Sequence, residues 1–227
     1  MNNKTSFQQT VILSNKSHSA GFTILELMIA AAVFAVVLLI VAIGAISFTN
    51  SYYSGITSSD VQSVSRAIMS EVSQSLEFSQ NFAQLTLTSG VAGYCIDNTM
   101  YTYKLGFEVV SSTPFGPDQG YHGLVLDTNS SCSPSTTPTL PATQSLSSSQ
   151  HELLNQHMRI TAFDITQLSS NIYTVHIKVD YGDDSILKSP LPAPGSILWS
   201  GVSCNSGAGS QFCATSDLTT SVEQRLN

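Results

Sequence analysis

The chain has 227 residues, of which 42% are hydrophobic and only 10% are charged, against roughly 25% charged residues in a typical soluble domain. Its formal net charge is −7, from 15 acidic and 8 basic residues, so no chain-wide positive field exists to bind DNA or RNA in bulk. Disorder driven by charge is excluded too, because such segments combine low hydrophobicity with high net charge.

The first element in chain order is an apolar run over residues 27–46, which contains no charged or polar side chain. At about 1.5 Å per residue, a helix of this length spans roughly 30 Å, the thickness of the hydrocarbon core of a bilayer. A core helix of a soluble domain is rarely apolar on every face over such a length. The pattern therefore predicts a transmembrane helix over residues 22–48.

The residues before the run carry Lys4, Lys16 and His18 and no acidic residue. The positive-inside rule then keeps this end in the cytoplasm and exports everything after Phe48. A secretory signal peptide is not indicated, because its apolar region is only about 7–15 residues long and a small-residue cleavage site follows it. We expect a single-pass protein of the cytoplasmic (inner) membrane with its head outside.

One charge, Glu26, lies at the start of the span. A carboxylate in lipid costs several kcal/mol unless it is paired, whereas a glutamate at headgroup level is favoured by the helix dipole. Residues 19–27 place Gly21 before the aromatic Phe22, with Glu26 four residues later and the apolar run behind it. This arrangement resembles the prepilin signal of the type IV pilin and pseudopilin superfamily, over about residues 16–48 and more weakly to residue 80.

The resemblance implies that a membrane prepilin peptidase cleaves between Gly21 and Phe22, removes residues 1–21 as a leader, and that Phe22 is then N-methylated. It also implies that Glu26 of an incoming subunit pairs with the Phe22 amine of a neighbour during assembly. The implied partners are other pilin subunits of the same filament, the prepilin peptidase, an inner-membrane assembly platform and, before assembly, membrane lipid. The middle of the helix has only Gly44 in place of the proline of many major pilins, which favours a minor pilin or pseudopilin.

Beyond the membrane, residues 49–80 are predicted to continue the helix in amphipathic form, to about Gln80. Apolar residues recur there at spacings of three to five, as on one helix face, and Gly55 marks a position for a bend. A separate amphipathic linker helix is the alternative. The predicted apolar stripe consists of Ile56, Val61, Val64, Ile68, Val72 and Leu76.

Residues 81–227 have the composition of a β-rich head, with predicted strands at 100–110, 121–126, 159–166 and 172–181. Residues 167–171 form a plausible hairpin loop. In the last strand Tyr173, Val175, Ile177 and Val179 alternate with Thr174, His176 and Lys178, as in a sheet with one wet face. The expected fold class is α+β, with a long N-terminal helix packed on an antiparallel sheet. Residues 128–150, rich in Ser, Thr and Pro, are predicted to form a long exposed loop or insertion. The proline-rich segment 188–196 is predicted to cross the surface in extended form.

All four cysteines follow the apolar run, which suits an oxidising compartment, and three pairings are possible. Cys204 and Cys213 bracket a Gly- and Ser-rich loop, so we expect them to pair and leave Cys95 with Cys132. The alternative is a zinc site. It is disfavoured because no Cys-x-x-Cys occurs and no histidine lies near the last pair in sequence.

Asp180, Asp183 and Asp184 surround a glycine, and three carboxylates in such a turn are candidate calcium ligands. A simple turn that ends the strand is the preferred interpretation, so no cofactor is expected, with calcium as the alternative. The scattered His122, His151, His157 and His176 are expected to hold no metal and catalyse nothing. Nucleophile, phosphate-loop, dinucleotide and His-Glu-x-x-His motifs are absent, so no enzymatic activity is expected.

The expected function is that of a structural subunit, a minor pilin or pseudopilin, in a type IV pilus or a type II secretion-like filament. The filament would lie outside the cell or in the periplasm. One alternative is a tip adhesin or ligand-binding module on a pilin anchor, which an exposed aromatic patch around Trp199 would favour. The other is a membrane-anchored domain that never assembles and retains residues 1–21.

Overall fold

The computed structural model describes residues 22–109, 122–130, 132–141, 146–188, 191–193, 195–207 and 209–225. Residues 1–47 and 48–227 form two units. In the first unit, the helix α1 (Ile24–Glu77) begins at Ile24, and every residue from 22 to 47 is exposed. This part of α1 is long and apolar enough to cross a membrane. Gly21 and the residues before it lie outside the described part of the chain.

In the second unit, α1 continues without interruption through Gly55 and ends at Glu77. Its buried residues recur every three or four positions, which places them on one face of the helix. The predicted stripe is right for Val61, Ile68, Val72 and Leu76, and Val64 is partly buried beside them. It is wrong for Ile56, which is 49% exposed, because the neighbouring Thr57 faces inward in its place.

Two antiparallel sheets follow the helix, so the predicted α+β class is confirmed. The first sheet has the order β1-β2-β3-β4-β5 and the second the order β6-β7-β8. The strands of the first sheet are β1 (Phe82–Thr88), β2 (Val91–Ile96), β3 (Thr99–Tyr103), β4 (Leu124–Asp127) and β5 (Gln150–Glu152). Those of the second are β6 (Met158–Ser169), β7 (Ile172–Tyr181) and β8 (Ala214–Glu223).

The predicted strands match the structure unevenly. β7 has the predicted bounds, while β6 is longer than predicted, which shortens the hairpin loop to Ser170 and Asn171. The strand predicted over 100–110 ends at Tyr103, because the chain turns there and Gly106 takes a positive φ of 78°. β4 begins three residues later than predicted, and Tyr121 lies outside the described residues. Sequence reasoning missed β1, β2, β5 and β8.

The main core lies between the buried face of α1 and the two sheets, and aromatic rings fill its centre. The Phe163 ring meets the rings of Tyr94 and Tyr103 edge-on, with centroids 5.4 and 5.1 Å apart. The Ser75 hydroxyl and the Tyr101 hydroxyl lie 2.9 Å apart and join the helix to β3. Burial raises the pKa of Tyr101 to about 12, so this phenol stays protonated and able to donate.

The second sheet is covered on its other face as well, since β6 buries six consecutive residues from Met158 to Phe163. The cover consists of the described residues between 182 and 213 and includes three short 3-10 helices, Asp184–Ile186, Ile197–Gly201 and Ser210–Phe212. A small apolar cluster of Leu187, Trp199, Val202 and Cys213 forms inside it.

The burial of Trp199 and Lys178 under this cover corrects two expectations. Trp199 is only 2% exposed and its indole N–H donates to the Ala193 carbonyl at 2.9 Å, so it forms no exposed aromatic patch. Lys178 was predicted to face solvent but is 8% exposed. Its ammonium donates to the carbonyls of Ser200 at 2.7 Å and Val202 at 2.6 Å, both in or next to the cover's central 3-10 helix.

Candidate assembly site

The start of α1 is a reciprocal capping arrangement between Thr23 and Glu26. The Glu26 amide donates to the Thr23 hydroxyl at 3.2 Å, and the Glu26 carboxylate accepts from the Thr23 amide at 3.1 Å and from its hydroxyl at 3.2 Å. The Leu27 amide donates to the Thr23 carbonyl and so makes the first helical bond. Thr-x-x-Glu is the sequence signature of this capping box, a signal that the sequence analysis did not use.

The cap fixes where the Glu26 carboxylate lies. It is held at the N-terminal end of the helix, where the helix dipole stabilises a negative charge, and the residue is exposed. Phe22 precedes the cap and is 82% exposed. An anionic group at an open helix end can receive a cation from another chain. At about 4 Å and an effective dielectric near 20 the attraction is roughly 4 kcal/mol before desolvation.

Behind the cap, the apolar side chains of residues 27–46 have no covering surface in the described part of this chain. Leu27, Phe34 and Ile40 are each about two-thirds exposed, and the side chains on the remaining faces are similar. An apolar surface of this extent, on every side of a helix, is characteristic of contact with lipid or with other chains. The site therefore combines a capped carboxylate with a helix that needs an external apolar environment.

The three calcium candidates do not come together. Asp180 is fully buried on β7, and neither of its carboxylate oxygens has a hydrogen-bond partner among the described residues. Burial raises the pKa of Asp180, and the neighbouring Thr215 and Thr161 hydroxyls oppose the rise only in part. Asp184 forms an ion pair with Arg159, and Asp183 lies 3.4 Å from the His157 ring nitrogen.

Asp183 belongs instead to a cluster with Glu108 and His157, whose potential ligand atoms lie within 4.8 Å of one another. Glu108 is already engaged, at 2.9 Å from the His157 Nδ1 and 2.8 Å from the Arg159 guanidinium. Burial raises the pKa of Glu108, while the His157 and Arg159 contacts lower it. The cluster is therefore interpreted as an ion-pair network that connects the segment after β3 to β6.

The remaining candidates have structural contacts. The cysteines form two disulfides, Cys95–Cys132 and Cys204–Cys213. His122 lies 3.3 Å from Glu152, and His176 lies 2.9 Å from Asp217. His151 is exposed on the short edge strand β5. Each of the first two histidines meets a different carboxylate, which is the pattern of local ion pairing.

The fold and this helix define a class: an α+β, pilin-like protein whose exposed N-terminal helix is long and apolar enough to cross a membrane. Residues 16–46 match the family model described as the prokaryotic N-terminal methylation motif. The chain thus carries a prepilin-type N-terminal signal, followed by a helix that is long and apolar enough to anchor it in a membrane. No curated protein and no solved structure gave a significant match.

Proposed function

We propose that the protein is a minor pilin or pseudopilin, a structural and non-enzymatic subunit of a type IV pilus or a type II secretion-like filament. It enters the inner membrane once, with residues 1–21 in the cytoplasm as a leader and the head outside. Prepilin peptidase cleaves after Gly21, and Phe22 is N-methylated. Residues 22–48 then anchor the subunit in lipid until the assembly platform transfers it to the filament.

The observation that carries this proposal is the exposed apolar helix with a capped carboxylate at its start. Membrane lipid covers residues 27–46 of the free subunit, and the equivalent helices of neighbouring subunits cover them in the filament. Both environments are apolar, so the transfer exposes little apolar surface to water. The continuation over 49–80 and the β-rich head over 81–227 then lie outside the apolar bundle.

We infer that Glu26 gains a second contact on assembly, in addition to its capping contact. In the free subunit its carboxylate caps its own helix through Thr23. Cleavage creates a new amine at Phe22, which stays cationic after a single methylation. In the filament, the Phe22 ammonium of a neighbour binds the Glu26 carboxylate, and the net gain is smaller than the gross attraction because both groups lose water. The main effect of such a pair is to fix the register between neighbouring helices.

Burial of Trp199 removes the feature that would have favoured a tip adhesin. The alternative of an anchored domain that does not assemble is decided by the N-terminus of the protein in cells. Mass spectrometry of the purified protein should find a chain that starts at N-methylated Phe22. An intact Met1, or a cut elsewhere than between Gly21 and Phe22, contradicts the proposal.

Assembly is tested with Glu26→Ala, which should be processed normally but be missing from sheared filaments. Glu71→Ala is the matched control, because Glu71 is an exposed acid on the same helix outside the apolar run. The control variant should enter filaments as the natural chain does. Normal incorporation of Glu26→Ala would overturn the role of Glu26, even where processing at Gly21 is found.

A further inference from the structure

The strand β8 forms one edge of the second sheet, and no described strand lies on its outer side. The Gln224 amide, directly after β8, donates to the Asn171 carbonyl beside β7 at 2.7 Å. Because backbone groups alternate along an antiparallel strand, the even-numbered residues of β8 bond to β7. The odd-numbered residues direct their N–H and C=O groups away from the sheet. The Arg225 amide agrees with this assignment, since it donates to the Glu77 carbonyl of α1 at 2.8 Å.

β8 lacks the features that usually protect an edge strand from other chains, which are a short length, a bulge, lysine or proline. In the first sheet, the edge strand β5 has only three residues and β1 has a register shift between Leu85 and Thr88. The other edge of the second sheet, β6, is bonded through the Met158 and Ile160 carbonyls to the segment after β3. β8 runs for ten residues in unbroken register with β7 and contains neither lysine nor proline. The outward groups of residues 215–223 therefore form a regular template for a further strand.

There is space for such a strand beside β8. A groove of about 730 Å³ lies between the end of α1 and the C-terminal half of β8, and it is lined by Ser73, Glu77 and residues 220–225. Leu218 and Thr220 are on the core side of the sheet yet only partly buried, since no described strand lies beyond β8. An added strand would have one face over this groove and the other face in solvent.

The solvent face of β8 is acidic. Asp217 and Glu223 are both exposed there, with uncharged residues between them, and six residues correspond to about 20 Å along a strand. Arg225 does not offset these charges, because it pairs with Glu77 at 2.6 Å. The His176 ring lies 2.9 Å from Asp217 and is a cation only when protonated. Opposite charges directly across a ladder stabilise it, so basic side chains six positions apart on the added strand match this face.

A second copy of β8 fits the template less well. Outward groups must meet outward groups, so an antiparallel pairing over residues 215–223 sets Thr215 opposite Glu223 and Asp217 opposite Ser221. Asp217 of each copy then lies diagonally beside Glu223 of the other copy, within reach across the ladder. Two such contacts between like charges disfavour self-pairing and favour a basic partner.

We propose that the edge of β8 binds an extended segment of another protein by strand addition, and that this segment carries basic side chains opposite Asp217 and Glu223. The outward backbone groups of residues 215–223 supply hydrogen bonds to any extended chain, and the two carboxylates select the partner. The surface lies entirely within the second unit. The inference is therefore independent of the proposed cleavage, membrane insertion and filament role.

Amide hydrogen exchange, followed residue by residue by NMR on the full chain in detergent, tests strand addition. The probe is a nine-residue threonine peptide with lysine at its second and eighth positions, so that both lysines meet the acids in either direction of the peptide. The control peptide has glutamate at these positions. At millimolar concentration the lysine peptide should slow exchange at Asp217, Thr219 and Ser221 about threefold, and the glutamate peptide should leave it unchanged.

Thr219→Pro distinguishes backbone pairing from side-chain contact. Proline removes an outward amide and none of the bonds that β8 donates to β7, and edge strands tolerate proline at such positions. The lysine peptide should then no longer slow exchange at Asp217 and Ser221. Thr219→Val keeps the amide and should behave as the natural chain does. Equal protection of both variants would show binding through side chains alone and would overturn strand addition.

The double substitution Asp217→Lys with Glu223→Lys keeps every backbone group and remains informative should Thr219→Pro fail to fold. It should reverse the preference, so that the glutamate peptide slows exchange about threefold and the lysine peptide does not. On the natural chain, equal protection by both peptides, or by neither, overturns the proposal. Slow exchange that needs no peptide and increases with protein concentration identifies a second copy as the occupant and also overturns it.

Discussion

The two parts of α1 share one backbone and differ in what surrounds them. Residues 24–47 bury no side chain within the chain, whereas the part that begins at Phe48 buries a residue at every third or fourth position from Thr57 to Leu76. Ile40 and Ile68 are chemically identical, yet Ile40 is 65% exposed and Ile68 is 2% exposed. The side chains of the first part are available for contact with lipid or other chains. The buried face of the second part belongs to the chain's own core.

Apolar content alone therefore does not place a residue in a core. A helix packs on its own sheet when its apolar residues occupy one face and polar residues occupy the rest. Residues 27–46 offer no polar face, so packing one side against a domain would leave the other sides in water. Substitutions in the two parts should therefore be read in different assays.

The strongest effect should come from truncating a buried side chain in the second part of α1. Ile68→Ala removes a fully buried side chain from the main core and should lower the free energy of unfolding of the head by about 2–5 kcal/mol. The measurement is urea unfolding of the full chain in detergent, followed by the fluorescence of the buried Trp199.

Ile40→Ala is the matched control for this prediction, since it makes the same chemical change on the same helix. It should leave the urea midpoint of the head unchanged, because Ile40 is 65% exposed and is not one of the residues that form the head's core. A comparable loss of stability from both substitutions would mean that the first part of α1 also stabilises the head. That result would contradict the distinction drawn between the two parts.

The next effect concerns the second sheet, which has one face in the main core and the other face under the cover. Replacing Cys204 and Cys213 with serine opens a crosslink between residues nine apart in sequence and should cost roughly 3 kcal/mol. The loss should appear as faster amide exchange in residues 197–203. Replacing Cys95 and Cys132 instead should leave these amides protected, and accelerated exchange there would contradict a local role for each disulfide.

A smaller effect tests the start of α1. Thr23→Ala removes the capping hydroxyl and should destabilise the first helical turn by about 1 kcal/mol, visible as faster amide exchange at Glu26. Thr23→Ser keeps the hydroxyl and should behave as the natural chain does. The unfolding midpoint of the head should be the same in both variants. A shift of this midpoint would mean that the cap also affects the stability of the second unit.

The sequence was sufficient for features that rest on long, regular patterns. The membrane helix, the stripe from Val61 to Leu76 and the bounds of β7 follow from hydropathy and periodicity that local packing does not override. The position of the carboxylate at Glu26 followed from the signal motif. Its capping bond to Thr23 could also be predicted from the sequence, because Thr-x-x-Glu is the signature of a capping box.

The sequence was insufficient where burial depends on a distant segment. Lys178 alternates correctly for a solvent face, but residues 182–213 fold back over it and supply the Ser200 and Val202 carbonyls. Trp199 is buried for the same reason. The alternation of residues along a strand shows which of them share a face. It does not show which distant segment of the chain will cover that face.

The smallest expected effect is a change in pH dependence under the cover. Burial raises the pKa of Asp180 above its ordinary value of 3.8, so the folded chain binds this proton more tightly than the unfolded chain. The contribution of Asp180 to stability is therefore fully present below pH 3.8, falls as the pH rises through the elevated pKa, and stays low above it. Asp180→Asn removes the ionisation, so its stability relative to the natural chain should rise with pH over this window.

Equilibrium unfolding in urea between pH 3.5 and 7 measures this difference. Glu71→Gln serves as the control, because Glu71 is an exposed acid on α1. It should not reproduce the upward trend, since an exposed carboxylate loses little hydration on folding. A flat difference for Asp180→Asn would mean that Lys178 and Arg159 hold the buried carboxylate charged, and the face under the cover would then be stabilised by ion pairing throughout this pH range.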